Sequence, residues 1–147
     1  MALTGTIFKL DDEELKVEIE NNFSNVENLH RQADISYFLL DFMEIMMSYS
    51  GIEKHLFRKI LEGSNSFMPN DGYIGYSFSQ EAKEIKETIL DKVTIENFDR
   101  FLQKGLEDNH PFTSIDNNEF IKKYFATIKK AYENAISEQK ALIFRIG

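Results

Sequence analysis

Apolar residues recur along this chain with two different periods, and the switches between them divide it into elements. Near the start, Leu3, Gly5 and Ile7 alternate with Thr4, Thr6 and Phe8 as far as Leu10, the period of two that a pleated strand imposes on its faces. Asp11 then opens a helix. Glu14 lies three positions on, the spacing of a capping box, and Leu15, Ile19 and Phe23 follow at i, i+4 and i+8. Residues 21–34 are polar and read as a linking loop. Over 35–49 the stripe Ile35, Phe38, Leu39, Phe42, Ile45, Met46 and Tyr49 is widened by Tyr37, Leu40, Met43 and Met47 until the helix is apolar nearly all round. Such a helix is expected at the centre of the fold. Asp41 and Glu44 share its polar edge, and Met43, Met46 and Met47 suit either a pliable core or a groove. Gly51 interrupts the pattern, 52–62 predicts a further helix, and Gly63 follows as its C′ residue.

Residues 64–71 read as a loop ending in the turn signal Asn70-Asp71-Gly72. Beyond it the period returns to two. Ile74, Tyr76 and Phe78 alternate with Tyr73, Gly75 and Ser77, so 73–78 predicts a strand, and Ser79 with Glu81 fits the start of a helix. Gly75 has no side chain, which lets another backbone or a ligand come close. Ala82, Ile85, Ile89 and Val93 carry this helix. Thr94 caps the next, which Gly105 is expected to end. Asp116 and Glu119 form a second D-x-x-E box, opening a long helix whose stripe runs from Phe120 to Ile136. Alternation in 141–146 gives a closing strand, which must pair with the first or the mid-chain strand because an apolar strand cannot stay exposed. Three strands and about six helices make a single α+β domain over residues 1–147.

Composition narrows the function classes. Thirteen Phe and 42% hydrophobic residues argue for a packed core rather than disorder. With no cysteine there is no disulfide, thiolate-bound zinc or thiol catalysis. No stretch is long and uncharged enough to suggest a membrane span, and no secretory leader pattern stands at the start, so a cytoplasmic protein is expected. The net charge of −8 disfavours nucleic acid as a partner. The charge is uneven: residues 11–20 hold six acids against Lys16 alone, whereas 119–145 hold six bases against three acids. The acidic helix face, with Glu13, Glu14, Glu18 and Glu20, is either a solvated surface or a docking site for a basic protein.

Motifs for catalysis are missing. His30, His55 and His110 are too far apart to form a metal-ligand spacing, and there is no nucleophile elbow, P-loop or dinucleotide fingerprint. No metal or cofactor is expected. His110, beside Pro111, is the residue best suited to proton transfer, or else an ordinary exposed loop histidine.

The order of these segments resembles the YfbM-like family of small bacterial proteins, a domain of unknown function. The resemblance is carried by the glycine-bearing first strand with its capped acidic helix (Gly5 to Glu14), Tyr37-Phe38-Leu39-Leu40, Ile60-Leu61-Glu62-Gly63, the run from Gly72 to Glu81, the aromatic helix with Tyr124, Phe125 and Tyr132, and the closing strand. It spans nearly the whole chain. Members often have a Trp and a His just before the aliphatic run, near Gln32 and Ser36 here, and this chain has no Trp. The resemblance implies an α+β fold and no particular activity.

Two functions fit. The first is a protein-binding module, an immunity-like or toxin-neutralising role being one version, with a basic partner on the acidic helix. The alternative is a small-molecule binder or enzyme with a pocket near the mid-chain strand, formed by Ser36, Tyr73, Tyr76 and His110. The oligomeric state is not legible.

Overall fold

The computed structural model describes residues 5–35, 39–67 and 72–147. Its framework is a five-stranded sheet, antiparallel throughout, in the order β2-β1-β5-β4-β3. The strands are β1 (Gly5–Leu10), β2 (His30–Asp34), β3 (Asn65–Phe67), β4 (Tyr73–Ser77) and β5 (Ala141–Ile146). The helices are α1 (Asp12–Glu20), α2 (Leu39–Tyr49), α3 (Lys54–Phe57), α4 (Lys59–Glu62), α5 (Ser79–Thr88), α6 (Ile95–Glu107) and α7 (Ile115–Ser137). α3 and α4 are two halves of one helical segment that Arg58 joins in right-handed helical geometry, so among the described residues six α-helical segments pack on the sheet.

Two residues per repeat sort the strands onto two apolar layers. Ile7, Leu142, Phe144 and Ile146 enter the larger one, with α2 to α7 above them. Phe8, Leu10, Ile74, Ala141 and Ile143 enter a smaller one with Leu15 and Ile19 of α1, Phe23 and Val26. β5 is buried on both faces because helices cover both, which explains its nearly unbroken apolar run. The larger layer centres on stacked rings: Phe98 lies 4.3 Å from Phe125, and Phe42 lies 5.7 Å from Phe98.

The closing strand pairs with both candidates at once, with β1 on one side and β4 on the other. Several expectations need correction. β2 lies within the segment read as a loop at 21–34, and β3 within that at 64–71, so the described residues form five strands, not three. Ile35 belongs to the end of β2 rather than to α2: its N–H donates to the Gly5 carbonyl at 2.8 Å. Phe78, not Ser79, is the N-cap of α5, and its N–H donates to Glu81 Oε1 at 3.0 Å. Ser114, not Asp116, caps α7, accepting from the Asn117 N–H at 3.0 Å. α6 runs past Gly105, which is small because Thr113 packs where its side chain would be. Thr94 and the Asp11/Glu14 pair cap as expected, at 3.0 Å each. Gly63 closes α4 at φ 76°, a left-handed value open to glycine.

Candidate functional site

α2 carries more apolar surface than the core can cover. Phe42, Ile45 and Met46 are buried, but Leu40 is 50% and Met47 45% exposed. With Leu39, Met43 and Glu44 they form one wall of a groove of about 390 Å³. The facing wall comes from Lys54, Arg58, Leu61 and Glu62 of α3 and α4, and the floor from Tyr73 and Ile146. The methionines fall on opposite sides of the helix: Met46 packs in the core, while Met43 and Met47 face the groove.

Arg58, Glu62 and Tyr73 are firmly held in the groove. Arg58 donates to both carboxylate oxygens of Glu62, at 2.5 and 2.7 Å. The Glu62 carbonyl accepts from the Tyr73 hydroxyl at 2.8 Å. Partial burial and the Glu62 carboxylate push the Tyr73 phenol above its ordinary range, so it stays protonated as a donor. Arg58 is likewise held charged, chiefly by its hydrogen bonds to Glu62. Neither shift favours proton transfer near neutrality, and the arrangement is one of fixed donors around an apolar slot.

Among the described residues, the three proposed from sequence as pocket lining, Tyr73, Tyr76 and His110, stand apart. Tyr73 lines the groove. Tyr76 is three positions on and therefore on the other face of the sheet, against Phe23 at 5.4 Å and Phe78 at 6.3 Å. His110 lies at the far end of α2, where its Nδ1 accepts from the Phe112 N–H at 3.2 Å and its Nε2 meets Ser48 Oγ at 3.0 Å. That geometry makes His110 a latch between α2 and the α6–α7 loop. Ser36 lies outside the described residues. Among the described residues, no three His, Asp or Glu are grouped to hold a metal ion.

The four glutamates of α1 are also divided. Glu13 and Glu20 are exposed. Glu14 is exposed but engaged in the cap through Asp11. Glu18 is 5% exposed, its Oε1 without a hydrogen-bond partner among the described residues, so it takes no part in the outer face. Leu15 is three positions before it, and helical spacing puts both on the inward side. Asp12 is also occupied, since its carboxylate accepts from the Ser79 N–H at 2.8 Å and from its hydroxyl at 2.6 Å. From sequence a groove was one of two readings of Met43, Met46 and Met47, and Leu40 was not assigned to it because a helix apolar nearly all round reads as buried; the charged run on 53–62 beside it was the available signal.

An open antiparallel sheet with α1 on one face and the other helices on the opposite face defines an α+β fold that known structures share. The structure is similar to that of YfbM from Escherichia coli, described as a protein of unknown function, with a TM-score of 0.62 and 17% identity over 98% of this chain and 99% of that one. This is the fold that the sequence resemblance implied. No family model matches the sequence, and no curated protein matches it. Among the described residues no helix is long and apolar enough to cross a membrane.

Proposed function

We propose that this protein is a binding module whose contact surface is the groove between α2 and α3–α4, and that the partner is another protein. The observation that carries this reading is the exposure of Leu40 and Met47 on the rim of an apolar slot. Isolated apolar residues on a surface are ordinary, but a row of them along a concave wall is a recognition feature. Methionine adapts its shape to a partner's side chains, which suits an open groove. The acidic helix is a weaker surface, with two of its four glutamates buried or engaged in the cap.

The test is site-directed photocrosslinking in the native cell. p-Benzoylphenylalanine is placed at positions 40 and 47 of the groove, and at position 17, an exposed valine on α1. The expected result is a discrete protein adduct from 40 and 47 that position 17 does not give. No adduct from the groove positions overturns the proposal, and an adduct from position 17 alone transfers the contact to the acidic helix.

A further inference from the structure

The groove has walls of opposite charge. In a chain of net −8, Lys54 and Arg58 line one wall, and His55 and Lys59 stand in the adjoining recess, all four exposed. The neighbouring acids are occupied: Glu62 takes the Arg58 fork, and Glu53 lies 3.3 Å from His55. Among the described residues, neither Lys54 nor Lys59 forms an ion pair. On the opposite wall stands Glu44. Leu40, Met43, Glu44 and Met47 follow the spacing i, i+3, i+4, i+7, a straight rail about 10 Å long. An apolar rail of this kind on a helix is matched by the stripe of a second helix laid along it.

Taking this groove as the docking surface proposed above, we infer that its partner presents an amphipathic helix with carboxylates along one edge of its apolar stripe. The carboxylates meet Lys54 and the outer side of Arg58, and Glu44 excludes them from the other edge. Polarity therefore sets which way round the helix lies. Charges of this kind on a groove's rim act through orientation and association rate, and lose strength as salt rises.

The experiment uses two fluorescein-labelled, hydrocarbon-stapled helical peptides with the same leucine stripe, one with a glutamate edge and one with a lysine edge. Both are titrated against the whole chain by fluorescence polarisation at low and high salt. The glutamate-edged peptide is expected to bind about tenfold more tightly at low salt, the scale of two or three exposed charge pairs. The change Lys54→Glu, on an exposed groove position that leaves the core intact, is expected to remove that preference. Equal binding of both peptides, abolished by Leu40→Asp, overturns the acidic-edge inference and leaves the groove as a docking surface. Preference for the lysine edge overturns it too. If neither peptide binds while laurate does, the groove takes a small amphiphile, and both the inference and the protein-binding reading fail. If the protein alone sediments as a dimer that Leu40→Asp dissolves, the occupant is a second copy and the inference fails.

Discussion

The carbonyl of Glu62 rests against Gly75, in the space a side chain would need, and the Tyr73 ring lies beside the same spot, 2.9 Å from where a Cβ would stand. α4 thus sits directly on the β4 backbone. Gly75→Ala has to push the two apart, and overpacking of that kind costs about 1–3 kcal/mol. The expected outcome is a lower urea midpoint with an unchanged slope. Tyr73→Phe removes one hydrogen bond to the Glu62 carbonyl and is expected to cost about 1 kcal/mol. If Gly75→Ala leaves the urea midpoint unchanged, close approach is not what Gly75 provides.

Asp12 links two helices that are distant in sequence. Its carboxylate takes both the N–H and the hydroxyl of Ser79, bracing the start of α1 against the start of α5. Hydrogen bonds to a charged group contribute about 1.5–3 kcal/mol each in favourable settings. Asp12→Asn and Ser79→Ala are therefore expected to destabilise, and the double variant to lose less than the sum of the two. A double-mutant cycle by chemical denaturation reads this coupling, and strict additivity would dismiss the brace.

Tyr132 is fully buried, and its hydroxyl donates to the Ile60 carbonyl at 2.6 Å. Burial holds the phenol well above its ordinary range, so it remains a neutral donor. Tyr132→Phe leaves that carbonyl without this donor, at an expected cost of about 1–3 kcal/mol. Thermal unfolding checks it, with Tyr49→Phe as a comparison, since the Tyr49 hydroxyl bonds the Asp108 carboxylate at the surface, at 3.1 Å.

Two ion pairs fasten the ends of β1 and β5. Lys140 meets Asp11 at 2.5 Å and Lys9 meets Glu138 at 2.5 Å. Hydrogen bonding from these lysines lowers Asp11 below its ordinary 3.8 and Glu138 below its ordinary 4.5. A lowered carboxylate contributes fully above its ordinary value, and the contribution is lost as the pH falls through the lowered one. On the alkaline side, Asp11 raises Lys140 above 10.5, so that lysine's share is present below 10.5 and lost as the pH climbs past its raised value. Stability measured against pH is expected to fall below about pH 4, and to fall less steeply in the Lys9→Met, Lys140→Met double variant. Identical acid limbs would remove these pairs from the pH response.

The long elements could be read from the chain because each repeats its period over many residues. α7 spans Ile115–Ser137 and β5 alternates through Ala141–Ile146. The edge strands could not be read. β2 is His-Arg-Gln-Ala-Asp with a register shift opposite Ile7 and Phe8, and β3 has three residues, so neither shows alternation. Both are held by backbone hydrogen bonds, which leave no mark on side-chain pattern. Of the site, Tyr73 was within reach because a glycine-spaced strand implies close approach. For the α2 wall the pattern left core and groove both open, since an apolar position looks the same whether a neighbour covers it or not. Glu18 shows the reverse: counting from Leu15 would have turned it inward, but its charge suggested solvent.

β5 sits in the middle of the sheet although it follows every other strand in the chain. Leu10 faces Ala141, and Gly75 faces Phe144. Without β5, β1 with β2 and β3 with β4 are two separate ribbons, each with an unpaired edge and an apolar face. Neither can join the other until β5 leaves the ribosome and slides between them. The last step of sheet assembly is therefore also the most non-local one, and such pairing is slow. Until β5 is in place, the inner edges of β1 and β4 are unpaired, and strands of neighbouring copies can add there.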